Sequence, residues 1–218
     1  MAAMKGCLFD LDGLLLDTEP LHGAAWRAAV ESFGGSVEDA TLLQMRGRNR
    51  QDCARLLVEH CQLPIHAEAL IAAQQPIARG QLGRAAPMDG APELLAHCRR
   101  GGLAMALATS SSRESLALKL ASHSWLGVIT ARITGDHPDL PRGKPAPDIF
   151  LLAAAALALP AEDCWAFEDS PTGCRAAVAA GCRVVVLMAP GAREDDYPGA
   201  SHLVRYLSEI PALLRTDR

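Results

Sequence analysis

Two aspartates stand two residues apart in Asp10-Leu11-Asp12-Gly13, directly after the apolar run Gly6-Cys7-Leu8-Phe9. Asp and Gly are ordinary residues of a turn at a strand end, yet a carboxylate that closes a buried apolar run is costly unless it meets a cation. A second apolar run ends in Ala108-Thr109-Ser110-Ser111-Ser112. Hydroxyls and free backbone N–H groups at a helix start can cradle an anion, and a plain serine N-cap is the other reading of the same residues. Lys144 lies between Gly143 and Pro145, and it is one of only three lysines, with Lys5 and Lys119, beside 18 arginines. Where arginine is the default cation, a lone lysine suggests a compact point charge, although a solvated loop lysine fits the composition as well. Finally, Phe167-Glu168-Asp169-Ser170 places two acids at another strand end. Adjacent carboxylates repel and become tolerable around a hard cation, for which Mg2+, with its octahedron of oxygen ligands, is suited.

These groups need a frame, and the pattern of the chain supplies one. Short apolar runs at residues 6–11, 103–108, 164–167 and 183–187, with a weaker one at 128–133, read as buried parallel strands. Ala- and Leu-rich helical patterns at 92–99, 112–121, 147–157 and 172–180 alternate with them, and Gly181 stands where a helix C-terminus wants a cap. Strands alternating with helices predict an α/β fold, a doubly wound and mostly parallel sheet of Rossmann-like type. All four motifs fall at the C-terminal ends of strands or in the loops leading from them, the edge at which such sheets bind ligands. From about residue 18 to residue 88 there is no convincing strand, only amphipathic helical segments near 21–33, 51–60 and 67–79. The expected organisation is therefore a catalytic core, 1–17 plus 89–218, interrupted by a helical domain at 18–88.

Composition narrows the partners. Half of the 218 residues are hydrophobic and 21% are charged, enough apolar surface for a packed core rather than a disordered chain. The net charge of −4 carries no basic excess of the kind a nucleic-acid or membrane-surface binder needs. No apolar stretch is long enough to span a bilayer, residues 1–9 lack a signal-peptide core, and a cytoplasmic location is expected. Seven scattered cysteines without a C-x-x-C pair read as small buried hydrophobes, not as disulfides or a zinc site.

The four motifs in this order resemble the haloacid dehalogenase superfamily of phosphohydrolases, and the resemblance runs over nearly the whole chain. The early helical insert resembles the branch with a helical cap. Within it, residues 10–26, Gly135-Asp136-His137-Pro138-Asp139 and residues 143–150 are similar to the β-phosphoglucomutase and sugar-phosphate or nucleotide phosphatase group. Thr109 stands where serine is also used, and the acid pair is Glu-Asp rather than Asp-Asp.

The resemblance implies a Mg2+-dependent phosphatase of a small phosphorylated metabolite, in which Asp10 is the nucleophile and forms an aspartyl-phosphate. It implies Asp12 as the acid and base that serves the leaving alcohol and then the water. Mg2+ would be held by the Asp10 carboxylate, the Asp12 main-chain carbonyl and Asp169, with Glu168 close by or ligating. Thr109, the Ser110 N–H and Lys144 would bind the phosphoryl group. A cap closing over the core would read the leaving group, with His22 and Arg50 as candidate substrate contacts in a segment where Arg46 and Arg48 also cluster near Gly47. A monomer is expected. Two rivals remain: a β-phosphoglucomutase-type hexose-phosphate mutase, and a phosphoacceptor signalling module of receiver type. The mutase uses a cap lysine beside its cap histidine, and residues 18–88 contain no lysine. A receiver has no use for an acid/base such as Asp12 that would discharge it.

Overall fold

The computed structural model describes residues 4–43, 45 and 50–216 of the chain. It divides into two compact units, Thr18–Ala85 and the remainder.

The larger unit begins with β1 (Gly6–Phe9), wholly buried, followed by the short β2 (Leu16–Asp17). The chain then forms the helices of the smaller unit: α1 (Glu19–Ser32), α2 (Asp39–Leu43), α3 (Arg50–His60) and α4 (Ala67–Gln81). It re-enters the larger unit through β3 (Ala86–Pro87), α5 (Ala91–Arg100) and β4 (Ala104–Ala108). The rest alternates: α6 (Arg113–Ser122), β5 (Ala131–Ile133), α7 (Asp148–Ala156), β6 (Cys164–Glu168), α8 (Pro171–Ala179), β7 (Arg183–Leu187), β8 (His202–Val204) and α9 (Ile210–Thr216).

Six strands form one sheet in the order β5-β4-β1-β6-β7-β8, and every pairing in it is parallel. The α/β expectation is met. β1 is central, with β4 on one side and β6 on the other, so the chain winds outward in both directions from it. Beside such a reversal the loops that leave the strand C-termini diverge and open a crevice. Burial on both faces explains why β1, β6 and β7 read as near-continuous apolar runs. The core of this unit includes Leu8, Ala106, Phe150, Ala166, Val184 and Val186.

Two local features differ from the sequence reading. Of the run 128–133, only Ala131–Ile133 pairs, against Ala106–Ala108 of β4, while Ser124–Val128 winds into a 3-10 turn. Residues 86–87 pair antiparallel with β2, and the helical unit ends at Ala85, three residues short of position 88.

Within the smaller unit, α1 packs on α4 and α3 on α4 around Trp26, Val30, Leu57 and Leu70. Pro76 sits inside α4, where it forfeits one backbone donor, and the helix continues through it to Gln81.

Candidate active site

Asp10 follows the last residue of β1, and its backbone N–H donates to the Phe167 carbonyl of β6 at 3.0 Å. This bond keeps the β1 and β6 termini in step, so Asp10 faces Glu168 and Asp169. Oxygen atoms of these three acids lie within 4.8 Å of one another. Asp10 is 6% exposed and Glu168 0%.

Lys144 is brought to this acidic group from the loop before α7. Its ammonium pairs with Asp10 Oδ1 and, at 2.5 Å, with Glu168 Oε1, and it lies 5.2 Å from the centre of the Phe150 ring. Glu168 is gripped on its other oxygen as well. Oε2 accepts from the backbone N–H groups of Asp169 and Ser170, each at 3.2 Å, and from the Ser170 hydroxyl at 3.0 Å. Ser170 is also the N-cap of α8, its Oγ accepting from Gly173 N–H at 3.0 Å. A Cβ on Gly173 would collide with the Glu168 carboxylate, and a Cβ on Gly13, at φ +87°, would collide with that of Asp169. Both glycines therefore let backbone approach acid closely.

Burial pushes the Asp10 carboxyl up to about 7, with Lys144 opposing and Glu168 and Asp12 adding to the rise. Asp169 is likewise raised well above the carboxylate range, by burial first and then by Glu168 and Asp10. Burial alone would lower Lys144, but Asp10 and Glu168 more than reverse that, and it stays charged. One ammonium thus faces two buried acids and a half-buried third, and Asp169 makes no ion pair of its own among the described residues. A donor set of clustered carboxylate oxygens short of positive charge fits a hard divalent cation such as Mg2+.

Asp12 points to a different cation. Its Oδ1 accepts from Lys119 Nζ at 2.5 Å and its Oδ2 from the Ser111 hydroxyl at 2.8 Å. Sequence reasoning placed Ser111 only within a possible anion cradle and gave Lys119 no role. Thr109 is wholly buried at the end of β4, its Oγ1 accepting from Ser111 N–H at 3.1 Å. Ser110 is exposed in the turn that follows, packed by its backbone against Gly135. Ser112 is indeed the N-cap of α6, accepting from Ser115 N–H at 3.2 Å, and Asp136 Oδ1 accepts from Arg113 N–H at the same helix start. Tyr197, also unforeseen, donates its hydroxyl to the Asp169 carbonyl at 3.1 Å.

Seven of the nine candidate residues, Asp10, Asp12, Thr109, Ser110, Lys144, Glu168 and Asp169, therefore belong to the sheet unit and follow its strand termini or lie in the loop before α7. The other two belong to the helical unit: His22, partly buried on α1, and Arg50, exposed at the start of α3. Arg46, Gly47 and Arg48 lie outside the described residues.

The haloacid dehalogenase-like hydrolase family matches residues 4–181, and the chain belongs to that family. It is 35% identical over 208 residues to "Probable pseudouridine-5'-phosphatase" of Drosophila melanogaster, covering 94% of this chain and 90% of that protein. It is 32% identical to hexitol phosphatase A of Escherichia coli, covering 85% and 84%. Among solved structures, CbbY from Rhodobacter sphaeroides in complex with phosphate superposes with a TM-score of 0.74 at 26% identity, covering 95% and 96%. The protein is thus an enzyme of the hydrolase class built on the fold of that family.

Proposed function

We propose that the protein is a Mg2+-dependent phosphatase of a small phosphorylated metabolite, a sugar phosphate or a nucleoside monophosphate, working through an aspartyl-phosphate on Asp10. The observation that carries this reading is the buried Asp10 carboxylate, paired with the Lys144 ammonium and clustered with the acids Glu168 and Asp169. The names of the relatives, a pseudouridine-5'-phosphatase and a hexitol phosphatase, support the substrate class.

In the proposed reaction an Asp10 oxygen attacks phosphorus, the bond from phosphorus to the leaving oxygen breaks, and Asp12 gives that oxygen a proton. Water then attacks the aspartyl-phosphate, Asp12 takes up the proton, and Asp10 is regenerated as phosphate departs. Splitting one displacement into two is the gain from a covalent nucleophile. The Thr109 hydroxyl and the Ser110 N–H hold non-bridging oxygens, and Lys144 balances the charge that the phosphoryl group brings to an already acidic site. The Asp10 carboxylate, the Asp12 main-chain carbonyl, Asp169 and Glu168 would hold Mg2+, which supplies positive charge against the phosphate dianion. The helical unit, as a cap, selects the leaving group through His22 and Arg50.

A cytoplasmic monomer completes the proposal. All seven cysteines are free, in keeping with a reducing compartment, and no helix among the described residues is long and apolar enough to cross a membrane.

The test is phosphate release from an aryl phosphate and from a panel of sugar phosphates and nucleoside monophosphates, with and without chelator, and with sugar isomerisation followed in the same tubes. Steady Mg2+-dependent release of inorganic phosphate without a bisphosphate activator is the expected result. Conversion of β-glucose 1-phosphate to glucose 6-phosphate faster than phosphate appears would show a mutase instead.

A further inference from the structure

Lys119 is 1% exposed, although it lies in the last turn of a surface helix where a lysine would ordinarily reach water. With Leu116 it forms the buried face of α6. Its stem runs back toward the start of the helix, as long helical side chains do. There its ammonium donates to Asp12 Oδ1 at 2.5 Å and to Ser111 Oγ at 2.8 Å, while Ser111 Oγ donates to Asp12 Oδ2 at 2.8 Å. The three side chains close a triangle in which each oxygen of one carboxylate is held by a different donor.

Packing does not call for this lysine. A leucine or methionine at a core-facing helix position would fill the space without desolvating a charge, and buried ion pairs often contribute nothing to stability against such replacements. What a cation adds is a fixed donor on the Asp12 carboxylate. An aspartate is short, and one rotamer step carries its oxygens away from any reacting atom, whereas proton transfer needs them within about 2.6–3.2 Å of it. Two-point restraint selects one rotamer and one plane for the carboxyl group. Each oxygen keeps a second lone pair, one of which can carry the proton that passes to the leaving oxygen or, once that proton has left, accept one from a water.

We propose that Lys119, together with Ser111, is a positioning residue that fixes the Asp12 carboxyl group for proton transfer to the leaving oxygen. The inference rests on the phosphatase reading and on Asp12 as its acid. In the step concerned, the Asp10–phosphorus bond forms, the bond to the leaving oxygen breaks, and the proton passes from Asp12 to that oxygen. Lys119 keeps all of its own protons. Division of labour follows: Lys144 serves the nucleophile and Glu168, and Lys119 serves Asp12.

Such a role leaves a mark that a general packing defect does not. A leaving group that departs readily as an anion needs little help from an acid, and a poor one needs much. The experiment measures kcat/KM, which reports the step that expels the leaving group, for phenyl phosphate and for 2,4-dinitrophenyl phosphate. It uses the full chain with saturating Mg2+ and compares wild type, Asp12→Asn, Lys119→Met and Ser111→Ala. Lys119→Met is expected to lose about 100-fold on phenyl phosphate and about 3-fold on the dinitrophenyl ester, the range set by loss of general acid catalysis. Ser111→Ala should show the same bias at about 10-fold against 2-fold, and it carries the test alone if Lys119→Met does not fold. Equal losses on the two esters, or no loss on either, would overturn the positioning role. If Asp12→Asn itself shows no bias toward the poor leaving group, or wild type turns over neither ester, the catalytic reading beneath the inference fails first.

Discussion

Asp10 and Asp12 are two residues apart, yet each meets its own ammonium, Lys144 for the first and Lys119 for the second. That separation suits two carboxylates with different tasks, because a single shared cation could not hold both in independent orientations. On the proposed mechanism Asp10 is the nucleophile, so replacing it with Ala should lower phosphate release from an aryl ester by about 10^4-fold or more. Normal turnover by folded Asp10→Ala protein would end the aspartyl-phosphate mechanism. Asp12→Asn carries a second, structural consequence. It leaves the Lys119 ammonium buried without its carboxylate, which should cost about 2 kcal/mol, tempered by the partial exposure of Asp12. Adding Lys119→Met should recover most of that loss in a thermal melt, and a double variant no more stable than Asp12→Asn would contradict the pairing. Asp10, Asp12, Lys144, Glu168 and Asp169 were legible in the sequence because each closes an apolar run or sits in a short motif. Lys119 was not. It looks like any lysine in an Ala- and Leu-rich helix, and its partner lies 107 residues away, a distance no local pattern spans. Tyr197, donating to the carbonyl of Asp169 from 28 residues further on, was hidden for the same reason.

At the scale of elements, β1, β4, β6 and β7 could be read because strands buried on both faces show as continuous apolar runs, and their helices show as Ala- and Leu-rich stretches with caps such as Ser112 and Gly181. β8 and the β2–β3 pair could not, since two or three residues give no periodicity to detect and their pairing is decided by neighbours in space. The loop from β6 into α8 shows how tightly one element end is tied to chemistry. Ser170 caps α8 through Gly173 N–H and donates to Glu168 Oε2, so one hydroxyl both starts the helix and orients an acid that holds Lys144. Ser170→Ala should therefore cost about 1 kcal/mol as a lost N-cap, a fall of about 2–4 °C in thermal midpoint for a chain of this size. Its kcat should fall too, because Glu168 loses one of its restraints. An unchanged thermal midpoint together with unchanged kcat would show that the backbone donors of Asp169 and Ser170 hold Glu168 without help.

Across the whole molecule, the acid cluster couples stability to pH and, on the proposed function, to metal. Asp10 is raised to about 7 by burial, and Asp169 is raised in the same direction. An unfolded aspartate titrates near about 3.9. Between about 4 and 7 the folded protein thus binds more protons at this site than the unfolded chain does, so with no metal bound the site loses stability as pH rises through that window. Below it the penalty is absent, and above about 7 it is complete. A divalent cation taken up by the same oxygens replaces those protons. Mg2+ should then stabilise the enzyme most where the acids are ionised and least where protons already occupy them. At about a hundred times its dissociation constant a ligand contributes about 2.7 kcal/mol, which for a chain this long corresponds to a rise of roughly 5–10 °C. That rise, taken as the midpoint in Mg2+ minus the midpoint in chelator, is expected at pH 7.5 and should shrink to little at pH 5. Asp169→Asn removes one oxygen donor and one raised carboxyl group, so it should flatten the difference at pH 7.5 while melting at a higher temperature than wild type in chelator. A Mg2+ effect of equal size at both pH values, or one undiminished in Asp169→Asn, would mean that the cation binds somewhere other than the Asp10, Glu168 and Asp169 cluster.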